Sequence, residues 1–245
     1  MTVIFPSLEI QDQIIDAHRK IQELKLSVDQ YDKILDVDPS LILLDTIEKI
    51  NEMLNLVGKL TDVERVKLMI SKAESDTNEF KQTWRLPMGE LKEYQNFKEE
   101  SNKIQYGVMK VISSYLNANG GELLIGYSEE SHKIEGLEGE FNHFNPGKHV
   151  KDQKDLFQHK FNETLSNTFD EYFLKFIRPR FVVGNNKIVY FIVCKEADRP
   201  CFIKGNKAKN VLGGTFYRRQ GDSSDPLEGE ELFEYISNHW PEYKK

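Results

Sequence analysis

Apolar residues recur at two different periods along this 245-residue chain, and the change of period divides it. Near the N-terminus Ile14, Ile21, Val28 and Leu35 fall seven apart, and Ile10, Ala17, Leu24 and Tyr31 fall seven apart beside them. Two such seams predict a coiled-coil helix, because a seven-residue repeat keeps one apolar stripe turned toward a partner helix. Ser7 supplies its N-cap, with Glu9 in the first turn. Asp38-Pro39 opens a second helix, followed by Leu43, Ile47, Ile50, Leu54 and Val57 at four-three spacing. Thr61-Asp62-Val63-Glu64 is a capping box that carries the helix on to Ala73. Residues 1–75 thus predict a helical hairpin that pairs with itself or with a partner helix, or closes as a self-contained bundle. Ile14, Ile21, Leu24, Val28, Tyr31 and Leu35 are its candidate assembly positions. The stretch from Ser75 to Thr83 is polar and aperiodic, which predicts a linker over 76–83.

From residue 84 onward the pattern alternates between helix and strand. Tyr106, Met109, Val111, Ile112, Tyr115 and Leu116 recur at helical spacing, and Gly120 and Gly121 follow as left-handed residues that end the helix. Leu123-Leu124-Ile125 is a short apolar strand closed by Gly126. Ile188–Val193 is a second apolar strand, and Gly184-Asn185-Asn186 is a turn that joins it to a strand running from Ile177 to Val183. Gly205-Asn206 marks a further turn. Leu156, Phe157, Phe161 and Leu165 stripe a helix over Lys151–Phe169, and Leu232, Phe233 and Ile236 face inward on a closing helix over Glu228–Trp240. The expected fold is α+β: the N-terminal hairpin, then a mixed sheet with flanking helices over 84–245.

Four segments in order carry a resemblance. They are Asn117-Ala-Asn-Gly-Gly-Glu-Leu-Leu-Ile-Gly-Tyr127, Lys133-Ile-Glu-Gly-Leu137, the strand Ile188–Val193 leading into Ala197-Asp-Arg-Pro-Cys-Phe202, and Phe216-Tyr-Arg-Arg-Gln-Gly-Asp-Ser-Ser224. Together they resemble the Schlafen AlbA-like domain, a DNA-binding or nuclease module in prokaryotes, over about residues 88–224. The resemblance implies nucleic acid as partner and, in cleaving relatives, three metal-binding carboxylates. Two lie in a Glu-x-x-x-x-Glu-Phe-Lys strand before the helix, and one lies just after the glycine-pair strand. A second resemblance is shorter: Phe5-Pro-Ser-Leu-Glu-Ile-Gln-Asp-Gln-Ile-Ile15 is similar to the Pro-Leu-Glu-x-Gln-x-x-Ile opening of the long helices in type I restriction specificity subunits. It implies docking to a methyltransferase or specificity-type subunit.

Charge changes the picture once it is divided. The net charge of -7 looks hostile to nucleic acid, but residues 1–80 hold 9 basic and 16 acidic residues, leaving 24 of each for the remainder. Local basic clusters in the C-terminal part can therefore meet phosphate. No apolar run approaches the roughly 20 residues that span a bilayer, and the N-terminus has no signal-peptide pattern, so a cytoplasmic protein is expected. Cys194 and Cys201 match no zinc or redox spacing and read as reduced packing residues.

The candidate catalytic positions follow from fitting the Glu-x-x-x-x-Glu-Phe-Lys pattern near Asn96-Phe97-Lys98, which puts Leu91 and Asn96 where glutamates belong. A shifted register keeps Glu93 but puts Met88 at the other position. After the glycine-pair strand, Ser128 stands where an aspartate is expected, with Glu129 and Glu130 beside it. The site is accordingly expected to be degenerate, with Glu93, Glu129 and Glu130 as its remaining carboxylates. No cofactor is otherwise implied, and Mg²⁺ or Mn²⁺ belongs to the nuclease alternative. His143, His149 and His159 have no ligand spacing and read as loop histidines. Lys98, Arg178, Arg180, Lys204, Lys207, Arg218 and Arg219 are the candidate phosphate contacts, expected to converge at one sheet edge. Tyr217 and Phe202 lie among them as stacking residues.

The expected function is a nucleic-acid-binding effector module with a degenerate nuclease site, coupled by its coiled coil to itself or a partner in restriction-modification or antiphage defence. The alternatives are an active metal-dependent nuclease and an oligomeric scaffold that touches no nucleic acid.

Overall fold

In a computed structural model the chain divides into two compact units, Met1–Thr61 and Asp62–Lys245. The structure describes residues 62–72, 74–87, 96–184, 186–204 and 214–244, all in the second unit. The heptad positions Ile14, Ile21, Leu24, Val28, Tyr31 and Leu35 lie outside the described residues, as do Glu93 and Lys207. No described helix is long and apolar enough to cross a membrane.

A four-stranded sheet of order β1-β2-β6-β5 forms the centre, built from β1 (Asn78–Lys81), β2 (Gly121–Ile125), β5 (Ile177–Gly184) and β6 (Lys187–Cys194). β1 pairs parallel with β2, Phe80 opposite Leu124, and β2 and β5 both run antiparallel to β6. The long apolar run of β6 has a direct cause: the strand is covered on both faces. Ile188, Tyr190 and Ile192 join Leu123 and Ile125 on one face, and Val189 and Phe191 join Phe80 and Leu124 on the other. The second face is covered by helix α1 over 62–70, through Val66 and Met69.

The first face is covered by α2 (Phe97–Leu116) and α4 (Val150–Thr168), with the short α3 (Glu138–Phe144) and α5 (Glu171–Leu174) beside them. Trp84, fully buried, packs edge-on against Phe157 and Phe161 of α4. Asn96 is the N-cap of α2, accepting from the Glu99 amide. The helix ends at the glycine pair, whose two members act differently. Gly120 has φ of 76° and ends the helix as expected, whereas Gly121 is the first residue of β2, where a Cβ would stand 2.4 Å from the Tyr115 ring. Asn117 is buried between them and α2: its amide group donates to the Cys201 and Tyr217 carbonyls and accepts from the Cys201 amide.

Those bonds dock a second sheet, β7-β8-β9, made of Phe202–Ile203, Thr215–Gln220 and Ser223–Leu227. A small ribbon, β3 (Tyr127–Ser128) with β4 (Lys133–Ile134), completes the strands. Helix α6 (Gly229–His239) packs Leu232, Tyr235 and Ile236 on Phe216 and Trp240.

The α+β class of the described unit agrees with the sequence, but three details do not. The stretch 76–83 is not a linker; it holds β1, whose single apolar residue Phe80 is buried against Tyr127 at 4.8 Å between ring centres. Leu156 and Phe233 are exposed, at 38% and 73%, because Phe157 and Tyr235 take the inward positions.

Candidate active site and nucleic-acid interface

β1 is an edge strand with alternating residues, so Phe80 enters the core while Glu79 and Lys81 share the opposite side. Upstream, the chain doubles back in a turn closed by the Ser75 amide bonding to the Asn78 carbonyl at 3.1 Å. That turn puts Glu74 beside β1, where its Oε1 accepts from the Phe80 amide at 3.0 Å. The contact of Phe80 with Tyr127 brings β3 alongside, and the turn after β3 carries Glu129.

Three carboxylates thus come together from two segments about fifty residues apart. The Glu129 carboxyl is held above the usual carboxylate range, first by burial, then by the charge of Glu74 and a hydrogen bond with it, with Glu79 adding to the effect. Lys81 opposes this shift, and its Nζ is ion-paired with Glu79. That direction is the one expected of like charges crowded together without enough counter-charge. Glu79 itself is buried, with Arg219 Nη1 2.7 Å from its Oε2. The side chains neighbour one another without converging: among the described residues no three His, Cys, Asp or Glu stand in a ready ligand arrangement.

These positions correct the sequence reading. Glu74-Ser-Asp-Thr-Asn-Glu79-Phe80-Lys81 matches Glu-x-x-x-x-Glu-Phe-Lys residue by residue, and its last four residues form β1, the strand before α2. The fit near Asn96 fails because Asn96 is a helix cap and Phe97-Lys98 is the first turn of α2. Both glutamates are therefore present, and Leu91, Met88 and Asn96 do not stand in their places. The signal was the motif itself, hidden in a stretch whose polarity reads as linker. Of the three carboxylates first named, Glu129 joins the cluster from an exposed turn, and Glu130 is exposed beside it.

The basic residues do not converge at one edge, because β5 and β8 belong to different sheets. Arg178 is exposed on β5, while Arg180 is ion-paired with Asp62 of α1 and lies over the Phe191 ring. Arg218 bonds to Gln220 and faces α6 beside Glu231 and Glu234, an acidic setting for a phosphate. Arg219 is 6% exposed and fully engaged inside, so it is no surface contact. Lys98 and Lys204 do share a cleft of about 390 Å³ between α2 and α4, with Tyr106 and Lys160. Lys204 there donates to the Phe169 carbonyl at 2.7 Å and lies 3.0 Å from Asp170. Tyr217 is buried, its hydroxyl 2.6 Å from that of Tyr106, and Phe202 packs on Phe216, so neither ring is free to stack on a base.

Of the histidines read as loop residues, His143 lies in α3 and stacks on Phe97, His159 lies exposed on α4, and His149 is the exposed N-cap residue of α4. Cys194 and Cys201 are buried free thiols that burial pushes up, away from reactivity.

The family model described as Schlafen, AlbA_2 matches residues 74–228, beginning on the first carboxylate of the cluster and taking in β1 through β9. No curated protein matches. Among solved structures, the DIP2311 protein from Corynebacterium diphtheriae is similar at 15% identity and a TM-score of 0.42. That alignment covers 74% of this chain and 33% of the other, so this chain spans about a third of that protein's length. With well over half of its residues under one family model, the chain belongs to the Schlafen AlbA_2 family, whose character is nucleic-acid-binding and nuclease-like.

Proposed function

We propose that residues 74–228 form a divalent-metal-dependent nuclease, with Glu74, Glu79 and Glu129 as the metal-binding carboxylates and nucleic acid as substrate. The observation that supports this reading is the crowding of Glu129 against Glu74 and Glu79. Three carboxylates with one lysine among them are a donor set of hard oxygens and surplus negative charge, which fits Mg²⁺ or Mn²⁺. Such a cation, when bound, supplies an activated water and neutralises charge on the phosphodiester. The chain's own residues do the rest. Lys81 is placed to offset carboxylate charge and to meet a phosphate oxygen, and Lys98 lines the cleft that offers a path for the backbone.

A second reading, binding without cleavage, draws on the fact that the carboxylates neighbour each other without converging. One assay separates the two. Purified protein is incubated with tRNA, single-stranded DNA and duplex DNA in Mn²⁺, beside Glu74→Gln, Glu79→Gln and Glu129→Gln. The nuclease reading expects cleavage that each substitution lowers at least about 100-fold, since an amide lacks the charge that offsets cation dehydration. Salt-dependent binding with no cleavage in any sample selects the second reading.

The same proposal assigns residues 1–61 to assembly, supported by the two heptad seams, with a second copy or a methyltransferase or specificity-type subunit as partner and defence or restriction-modification as setting. Ile21→Asp with Val28→Asp should then dissociate the assembly in light scattering while the circular dichroism of the C-terminal unit persists. An unchanged oligomer, or a monomeric wild type, refutes it.

A further inference from the structure

Arg219 is a buried cation that the proposed chemistry leaves unused. It sits on β8 opposite Ser224 of β9, with its side chain 1% exposed. Its Nε and Nη2 donate to the Ser75 carbonyl at 3.2 and 2.7 Å, and Nη2 also donates to the Asn78 carbonyl at 3.1 Å. Nη1 reaches Ser224 Oγ at 3.4 Å and lies 2.7 Å from Glu79 Oε2. Ser224 Oγ in turn meets Ser114 Oγ of α2 at 2.8 Å, and the guanidinium lies 5.2 Å from the centre of the Tyr115 ring.

A guanidinium taken out of water costs several kcal/mol unless its donors are matched, so this burial is informative. All the backbone oxygens it holds belong to the turn between Glu74 and Glu79. Among the described residues β1 is an edge strand with no further strand on its outer side. Arg219 supplies the donors that a further strand would have provided, and adds a charge contact to Glu79. We infer that Arg219 is a positioning residue: it fixes the turn that separates the two glutamates and orients the Glu79 carboxylate, thereby setting the affinity of the carboxylate cluster for a divalent cation. The inference rests on the proposed function. Lysine cannot substitute, because a point charge lacks the planar fork that spans two carbonyls and a carboxylate.

The test measures Mn²⁺ affinity of the full chain by electron paramagnetic resonance of the free ion, for wild type, Glu79→Gln, Arg219→Lys and Ser224→Ala. Amide hydrogen exchange over 74–81 is followed alongside. Arg219→Lys should weaken Mn²⁺ binding about 10- to 100-fold, the range for residues that orient metal ligands, and speed exchange over 74–81 while β5 and β6 stay protected. Ser224→Ala, which removes only an anchor, should give a smaller loss in the same direction, and it carries the test if Arg219→Lys does not fold. Lower thermal stability with unchanged Mn²⁺ affinity in the folded variants overturns the positioning role and leaves the nuclease reading standing. A wild type that binds Mn²⁺ no better than Glu79→Gln overturns the metal reading and the inference with it.

Discussion

Two glutamates, Glu79 within β1 and Glu140 against the segment just after it, are each buried beside an arginine, and they behave as opposites. Glu140 of α3 is 2% exposed and accepts from the Trp84 amide at 3.0 Å, with Arg85 Nε 3.4 Å from its other oxygen. Burial pushes its carboxyl up and the Arg85 guanidinium down, and no second carboxylate figures among the influences on it. Glu79 has Arg219 and Lys81 as partners, yet Glu74 and Glu129 crowd the same corner. A buried acid with an amide and an arginine to itself pins one segment to another. An acid left among more of its own kind needs a further positive charge to complete it, and that excess separates a site from a fastening.

The largest expected effect breaks the fastening. Glu140→Ala strips Arg85 and the Trp84 amide of their acceptor inside the core, and removing one member of a buried pair costs about 3–5 kcal/mol. Thermal melts should fall by roughly 10 °C for a unit of this size, with cleavage by the folded protein kept, whereas Glu79→Gln, which also leaves the buried Arg219 without its counter-charge, should lose cleavage even where it is fully folded. Cleavage lost equally by both folded variants would erase the distinction.

Next in size is a change in salt dependence, which sharpens where the nucleic acid lies. Lys98→Ala with Lys204→Ala should weaken binding and flatten the slope of log affinity against log salt by up to about 2, near 0.9 per lost phosphate contact on duplex. Arg218→Ala, beside Glu231 and Glu234, should leave the slope alone. A slope that responds to Arg218 and not to the lysines would move the interface to α6.

The smallest effect is a pH dependence that belongs to Glu140. A carboxyl whose native pKa is raised binds more protons folded than unfolded, so stability declines as pH climbs from its unfolded value, about 4.3, through the higher native one. Glu140→Gln should flatten that decline in melts taken across this window. A decline that persists unchanged would assign it to other groups.

The sequence disclosed those elements whose burial is two-sided or periodic. β6 is a continuous apolar run because both faces are covered, and α2 carries its stripe into a glycine stop. Asn117 heads the segment that holds the glycine stop, and its role in docking β7 and β8 is a tertiary fact with no local trace. β1 was missed because an edge strand needs only one apolar residue, Phe80, and its polar neighbours read as linker. Arg219 was misplaced for a related reason: its adjacent Arg218 suggests a basic surface, while its partners lie 141 and 144 positions away. The carboxylate motif was legible residue by residue, and only the choice of register concealed it.

That long separation has a consequence in time. The chain is made from the N-terminus, so Glu74, Glu79 and Glu129 leave the ribosome well before Arg219 does. Until β8 and β9 arrive, the Glu74–Glu79 turn is held to the domain through β2 alone, and its Ser75 and Asn78 carbonyls lack the arginine. A nascent or prematurely terminated chain would then hold every carboxylate of the cluster without the order that the arginine imposes. On the nuclease reading proposed above, synthesis itself is a safeguard, because the carboxylate cluster is completed only after β8 and β9 have been translated.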